Sequence, residues 1–421
     1  MITDELAHRI EGQLGFTPNT GQKEAIVAFA TFMADRNERS AMILTGSAGT
    51  GKTSLTGAVV RALGELGIKV VLLAPTGRAA KVLAANARHE AFTIHRKIYR
   101  QRAFTGDMSG FNLSDNLYTD TLFIIDEASM VSDYSDGGAA FGSGLLLSDL
   151  VRFVYSGRNC RMMLIGDSAQ LPPVGEEESP ALQPYVIEGF SLSVTLANLS
   201  EVVRQKLTSG ILYNATMIRR IIESGDGNGL PRIVFDGFAD IQRLPGDELI
   251  DQLGSSYDHE GYDETIVITR SNKLANTYNN GIRAMVLDRE SQLESGDMLM
   301  VVKNNYYWAG GKDCPLTFIA NGDRAEVCRV RHEREMYGFH FADVTMRFPD
   351  YDDYELTATV CLDCLTSETP SLTHEQQDKL FNAIMEDYAD IPRKADRLKR
   401  LKEDRYFNAL QVKYAYAVTC H

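Results

Sequence analysis

The stretch "AMILTGSAGTGKTSLTGAVVRALGEL", residues 41–66, decides the fold. Ala41 to Thr45 is a short apolar run, Gly46 to Thr53 reads G-S-A-G-T-G-K-T, and Leu55 to Leu66 carries apolar residues at helical spacing. Strand, glycine-rich loop, helix is the context that a P-loop requires. Its glycines let successive backbone N–H groups turn toward one point, where the helix N-terminus adds its partial positive charge. Gly46, Ser47, Ala48, Gly49, Thr50, Gly51, Lys52 and Thr53 are therefore expected to cradle a polyphosphate. Lys52 is placed to reach its β- and γ-phosphates, and Thr53 to bind Mg²⁺.

Further along, "TLFIIDEASM", residues 121–130, is a buried-strand run that delivers Asp126 and Glu127 to the C-terminal edge of a parallel sheet, where ligands bind. Asp126 is expected to hold Mg²⁺, and Glu127 to orient and deprotonate an attacking water. A third apolar strand, Met162 to Ile165 in "LIGDSAQLPPVG", precedes Gln170, whose amide could sense the γ-phosphate.

The bulk composition narrows the rest. The chain has 421 residues, 44% of them hydrophobic, enough for several domains with real cores. With 57 acidic against 43 basic residues, a protein that coats nucleic acid by bulk attraction is excluded, so any nucleic-acid site is a local groove. No run reaches the roughly 18 apolar residues of a membrane span, and "MITDELAHRI" is too polar for a signal peptide, so a cytoplasmic protein without a membrane partner is expected. The six cysteines are scattered, which implies reduced thiols. Cys361 and Cys364 could join Cys314 and Cys328 around zinc, but "ELTATVCLDCL" reads as a strand that sends residues three apart to opposite faces, favouring buried small residues.

Other segments fall into an ordered series: "APTGRAA" (74–80), "TIH" (93–95), "LSEVVRQ" (199–205), "NNGIR" (279–283), "ANGD" (320–323) and a terminal "AVTCH" (417–421). Together with the P-loop and the acidic pair they resemble superfamily 1 helicases of the 5′-to-3′ subgroup, the RecD-like, Dda-like and Pif-type enzymes. The resemblance runs from about Phe16 to His421. It implies an ATP-dependent DNA helicase, active in repair or recombination, that binds ATP and Mg²⁺, acts on single-stranded DNA and a DNA fork, and works as a monomer. An RNA-directed motor and a nucleotide-dependent single-strand-binding subunit are the alternatives. In this family "T-x-H" continues into a longer motif, so a further segment with a second catalytic arginine is expected past His421.

Residue roles follow from the same resemblance. Gln22 would read adenine, and Arg204 would be the arginine finger of the second motor domain, joining Lys52, Glu127 and Gln170 in catalysis. Pro75, Thr76, Arg78, Thr93 and His95 on the first motor domain, with Asn321, Thr419 and His421 on the second, would contact the DNA strand. The implied fold is α/β, with two RecA-like P-loop NTPase domains, an inserted wedge subdomain and an inserted SH3-like β-barrel subdomain. The first motor domain would span 1–95 and 121–197, the wedge 96–120, the second motor domain 198–293 and 406–421, and the barrel with a helical extension 294–405. Phe104 and Phe111 are the wedge candidates, or they staple the insertion to the core. Val412 to Thr419 alternates as one strand returning to the second motor sheet, Thr373 and Gln376 form a capping box, and the basic run Arg393 to Arg405 is a solvated helix face.

Overall fold

Every residue of Thr121–Ile125 is buried, as are all but one of Ser40–Gly46. Strands apolar on both faces need helices on both sides. The computed structural model describes residues 2–101, 111–134, 143–201, 209–225, 229–262, 264–309, 316 and 318–420. The chain divides into two units, Met1–Arg243 and Leu244–His421.

The first unit is built on strands β1 (Ser40–Gly46), β2 (Lys69–Ala74), β3 (Ala91–Thr93), β4 (Tyr99–Gln101), β5 (Phe111–Leu113), β6 (Thr121–Ile125), β7 (Arg161–Gly166) and β8 (Ser193–Leu199). Six of them form a parallel sheet in the order β3-β2-β6-β7-β1-β8. Side-chain alternation divides the core. Met42, Leu44, Leu122, Ile124, Met163 and Ile165 face helices α1 (Ile2–Leu14), α2 (Thr20–Ala34) and α3 (Lys52–Glu65), which contribute Ile10, Phe29 and Val59. Helix α4 (Gly77–Ala87) adds Leu83 to this face. Ala41, Ile43, Phe123, Ile125, Met162 and Leu164 point the other way, onto Ile94 and Ile98 of α5 (Ile94–Ile98), Leu147 and Leu150 of α6 (Leu146–Ser156), and Ile187 of α7 (Pro184–Gly189). The expected wedge insertion contains an antiparallel ribbon in which β4 pairs with β5, Gln101 opposite Phe111. Phe104 lies outside the described residues. After β8 comes α8 (Gly210–Ser224).

The second unit contains α9 (Leu249–His259), β9 (Val267–Thr269), α10 (Asn272–Gly281) continued by a π turn at Ile282–Val286, and then a closed barrel. Its strands are β10 (Met298–Val301), β11 (Arg324–Met336), β12 (Phe339–Phe348), β13 (Tyr354–Cys361) and β14 (Leu410–Tyr414), filled by Leu299, Val327, Val344, Met346, Val360 and Val412. Helices α11 (His374–Asp387) and α12 (Lys394–Lys402) lie between β13 and β14 in the chain. Thr373 Oγ1 accepts from Gln376 N at 3.2 Å and Gln376 Oε1 accepts from Thr373 N at 2.9 Å, the expected capping box.

Two strand readings need correction. Val412 to Thr419 is not one strand: β14 closes the barrel, and β15 (Ala417–Thr419) pairs in parallel with β9. The break comes from buried Asn279, whose Nδ2 donates to the carbonyls of Tyr414 (3.3 Å) and Ala417 (2.8 Å) while its Oδ1 accepts from Ala417 N at 2.7 Å. Strand pairing also stops at Cys361, and a 3₁₀ turn over Leu362–Cys364 follows, so both thiols enter one apolar cluster and hydrogen bond to each other. Cys314 lies outside the described residues, and among those described no group of three or more His, Cys, Asp or Glu is placed to hold a metal.

A buried ion pair stands beside this junction. Arg283 Nε and Nη2 donate to the two oxygens of Asp297 at 2.9 Å each, and Tyr416 Oη donates to Asp297 Oδ1 at 3.1 Å. Asp297 is fully buried. Removing one partner strands a buried charge, so Asp297→Ala is expected to destabilise the second unit by about 3–5 kcal/mol. Pairing it with Arg283→Met should recover part of the loss; calorimetric melts of both variants check this, and equal losses contradict it.

Candidate nucleotide-binding site

The loop from Gly46 to Gly51 is shaped by glycines where other residues would strain. Gly49 and Gly51 have φ of +80° and +92°, the left-handed region that only glycine enters freely. A Cβ on Gly46 would lie 2.8 Å from Thr50 Oγ1 and 2.9 Å from the Leu199 carbonyl. Gly51 caps α3 without a side chain, so the first N–H groups of that helix are left for an acceptor from outside, which suits phosphate oxygens.

Gln22, expected to read adenine, is buried behind this loop. It forms a capping box with Asn19 at the start of α2, and its Nε2 donates to the Thr50 carbonyl at 3.0 Å. The amide thus braces the P-loop and keeps one N–H and one carbonyl lone pair for a base. Lys52 Nζ donates to the carbonyls of Gly46 (2.6 Å) and Ser47 (3.1 Å). Burial pulls its pKa down, against the carboxylates of Asp167, Glu127 and Asp126.

Sheet order brings the remaining groups to the same edge. Because β7 lies between β6 and β1, the acids after β6, the turn after β7 and the P-loop after β1 stand side by side. Asp126 Oδ1 accepts from Glu127 N at 3.0 Å, and Glu127 takes φ of +51°, a tight corner after the strand. Burial raises the Asp126 carboxyl to about 6; Glu127's charge adds to the rise, and Lys52 opposes it. Ser129 Oγ donates to Gln170 Oε1 at 2.7 Å, which pins the amide oxygen and leaves the NH₂ for another partner. Thr53 sits in the first turn of α3, and Arg204 lies outside the described residues. The donor set, an open helix terminus with Lys52, Thr53 and a desolvated Asp126, fits a Mg-nucleotide.

Sequence reasoning missed two residues beside this site. Asp167, the residue after β7, is 4% exposed, and Arg219 of α8 donates through Nη2 to both its oxygens at 2.8 Å. The position of Asp167 directly after an apolar strand could have revealed it; nothing local marks Arg219.

The expected DNA contacts form separate groups. Ala74 is in register with Thr93, so Pro75, Thr76 and Arg78 gather with Thr93 and His95 at the β2–β3 end of the sheet. Both threonine hydroxyls cap helices, Thr76 accepting from Ala79 N and Thr93 from Arg96 N, each at 3.2 Å. As acceptors they retain their O–H, that of half-buried Thr76 within reach of an outside oxygen and that of Thr93 buried. Burial lowers the pKa of His95, whose ring leans on Tyr99 with centroids 5.7 Å apart. In the second unit, Asn321 sits in the turn before β11, its N–H on Asn304 Oδ1 at 2.7 Å, and Thr419 ends β15. His421 lies outside the described residues.

A family model described as an AAA domain matches residues 17–220. ATP-dependent RecD2 DNA helicase from Deinococcus radiodurans is 38% identical over 134 residues, covering 32% of this chain and 16% of that protein. The RecBCD enzyme subunit RecD from Mycobacterium tuberculosis is 27% identical over 219 residues, covering 46% and 34%. The aligned parts are thus at most about a third of either relative's length. A crystal structure of Pif1 helicase from Bacteroides in complex with ADP-AlF3 and ssDNA has a TM-score of 0.43 at 15% identity, covering 81% of this chain and 74% of that one, too loose a fit to carry roles across. The residues matched to that model include the whole P-loop and the acidic pair after β6. Both of these relatives matched by sequence are RecD-type proteins, the branch that the motif series resembles.

Asp126 must shed its proton to bind a divalent cation. Apparent Mg²⁺ affinity is therefore expected to level off well above pH 6 and, on acidification below the carboxyl's value of about 6, to fall about tenfold per pH unit. Mg²⁺ titrations of a bound fluorescent ATP analogue across that range check this, and Asp126→Asn should abolish the break along with most of the affinity.

Proposed function

We propose that this protein is an ATP-dependent DNA helicase that moves 5′ to 3′ along single-stranded DNA and unwinds duplex. The reading rests chiefly on one observation: an open helix terminus flanked by Lys52 and a carboxylate pair, within residues matched to an AAA domain and related to RecD2. Lys52 and the N-terminus of α3 hold the triphosphate. Thr53 and Asp126 would hold Mg²⁺, which when bound would supply positive charge against the phosphoryl groups. Glu127 takes the proton of a water whose oxygen attacks the γ-phosphorus, and the β–γ bridging oxygen leaves with ADP. Gln170, its amide oxygen fixed by Ser129, turns its N–H toward the γ-phosphoryl group. Arg204, the arginine-finger candidate, neutralises charge in the transition state.

In this reading, Pro75, Thr76, Arg78, Thr93 and His95, with Asn321, Thr419 and His421, track the DNA backbone. Hydroxyls, amides and N–H groups bind phosphates without reading bases, which suits a motor that must pass any sequence. The wedge insertion, with Phe104 and Phe111 as its candidates, is the element offered to the fork.

ATP turnover should rise on addition of single-stranded DNA and vanish in Lys52→Ala. Arg204→Ala should keep ATP binding and lose about 10³-fold in kcat, since a finger acts on the transition state. In strand-displacement assays 5′-tailed duplexes should unwind and 3′-tailed ones should not. Turnover without displacement would instead make the chain a nucleotide-gated single-strand binder, and stimulation by RNA over DNA would make it an RNA motor.

A further inference from the structure

We infer that Arg219 is a positioning residue: by occupying both oxygens of Asp167, it keeps that carboxylate from capturing the Lys52 ammonium, which stays available to a triphosphate. The inference rests on the nucleotide-site reading above and adds to it a residue outside the motif series.

Three carboxylates act on Lys52, and of these Asp167 does so most strongly. Yet the hydrogen bonds of Lys52 Nζ go to the carbonyls of Gly46 and Ser47. The place of Asp167 explains its reach, because β7 is the strand between the Asp126 strand and the P-loop strand. A buried carboxylate there, left without a partner, would draw the nearest ammonium and compete with the γ-phosphate for it. Arg219 meets both oxygens at 2.8 Å, and Ala169 N donates a third bond to Oδ1 at 3.0 Å, so the acceptor capacity of Asp167 is largely used.

The helix that delivers Arg219 is tied down on two sides. Asp240 accepts from Ser209 Oγ (2.6 Å) and Gly210 N (2.7 Å) at the start of α8. Asn214, 4% exposed, exchanges bonds of 2.8 Å with both Val234 N and Val234 O. A Cβ on Gly210 would press within 2.6 Å of Ile241 and Phe238, so α8 packs closely on that segment. The guanidinium therefore arrives pre-placed, with Nη2 shared between the two oxygens.

The test is Mg²⁺-dependent binding of a fluorescent ATP analogue to the full chain, with KM and kcat for ATP alongside. Arg219→Gln should weaken binding and raise KM by about tenfold or more, with kcat changed less, and adding Asp167→Asn should return affinity to within about threefold of wild type. Asp167→Asn alone should bind at least as tightly as wild type, and Arg219→Lys should fall between wild type and Arg219→Gln. A merely structural pair would give no rescue. Wild-type affinity in Arg219→Gln, a double variant as weak as that single variant, or about tenfold weaker binding in Asp167→Asn overturns the inference. Should Arg219→Gln fail to melt cooperatively, the Asp167→Asn and Arg219→Lys arms decide. Wild-type protein that binds no nucleotide would defeat the nucleotide-site reading instead.

Discussion

A parallel sheet spaces neighbouring strands about 4.8 Å apart, so three adjacent strand ends crowd whatever charges they carry. Here β6 ends in Asp126 and Glu127, β7 in Asp167, and β1 in the loop that leads to Lys52. At that separation and in that degree of burial, an ammonium and a carboxylate would join directly unless each had another partner. The structure supplies those partners: Asp126 takes the Glu127 N–H, Asp167 takes Arg219 and the Ala169 N–H, and Lys52 takes two loop carbonyls. An anion arriving at α3 thus finds donors not already neutralised by the acids beside them.

Keeping such a site open depends on a scaffold that cannot relax into it. Strands apolar on both faces, packed by Phe29 and Val59 on one side and Leu147 and Leu150 on the other, fix the height of each strand end. The loop has little freedom either. Gly49 and Gly51 hold backbone shapes closed to other residues, Thr50 Oγ1 donates to the Ser47 carbonyl at 2.8 Å, and Gln22 braces the loop from behind. The raised carboxyl of Asp126 belongs to the same design, because the burial that disfavours its charge also strengthens its pull on a divalent cation.

What could be read in advance follows a physical division. The P-loop, the acidic pair and Gln170 were legible because each follows a run of apolar residues that announces a buried strand, and the chemistry sits at the strand's end. The α/β class and a β-barrel were legible for the same reason, as periodicity and turn residues are local. Arg219 was not, since its meaning comes from Asp167, which is 52 positions away in the chain. Thr76 and Thr93 were named by motif resemblance, and their capping of α4 and α5 depends on where those helices begin. Gln22 was placed by motif alone, and its hold on Thr50 appears only once α2 is folded against the loop.

The split of Val412 to Thr419 carries that division furthest. Alternation of polar and apolar residues says that a segment is extended, and it says nothing about which strand it pairs with at each point. In the second unit, backbone pairing changes partners between Tyr414 and Ala417, from β10 to β9. Such a change leaves peptide groups without ladder partners, and buried peptide groups must be satisfied. Asn279 supplies the missing donor and acceptor, and Tyr416 directs its hydroxyl into the Arg283–Asp297 pair on the barrel side. Asn279 and Arg283 both lie in the stretch "NNGIR" of the ordered motif series. Their side chains make it the clamp that lets one extended segment serve a barrel and a parallel pair in turn, a role that strand periodicity cannot reveal because it resides in the partner.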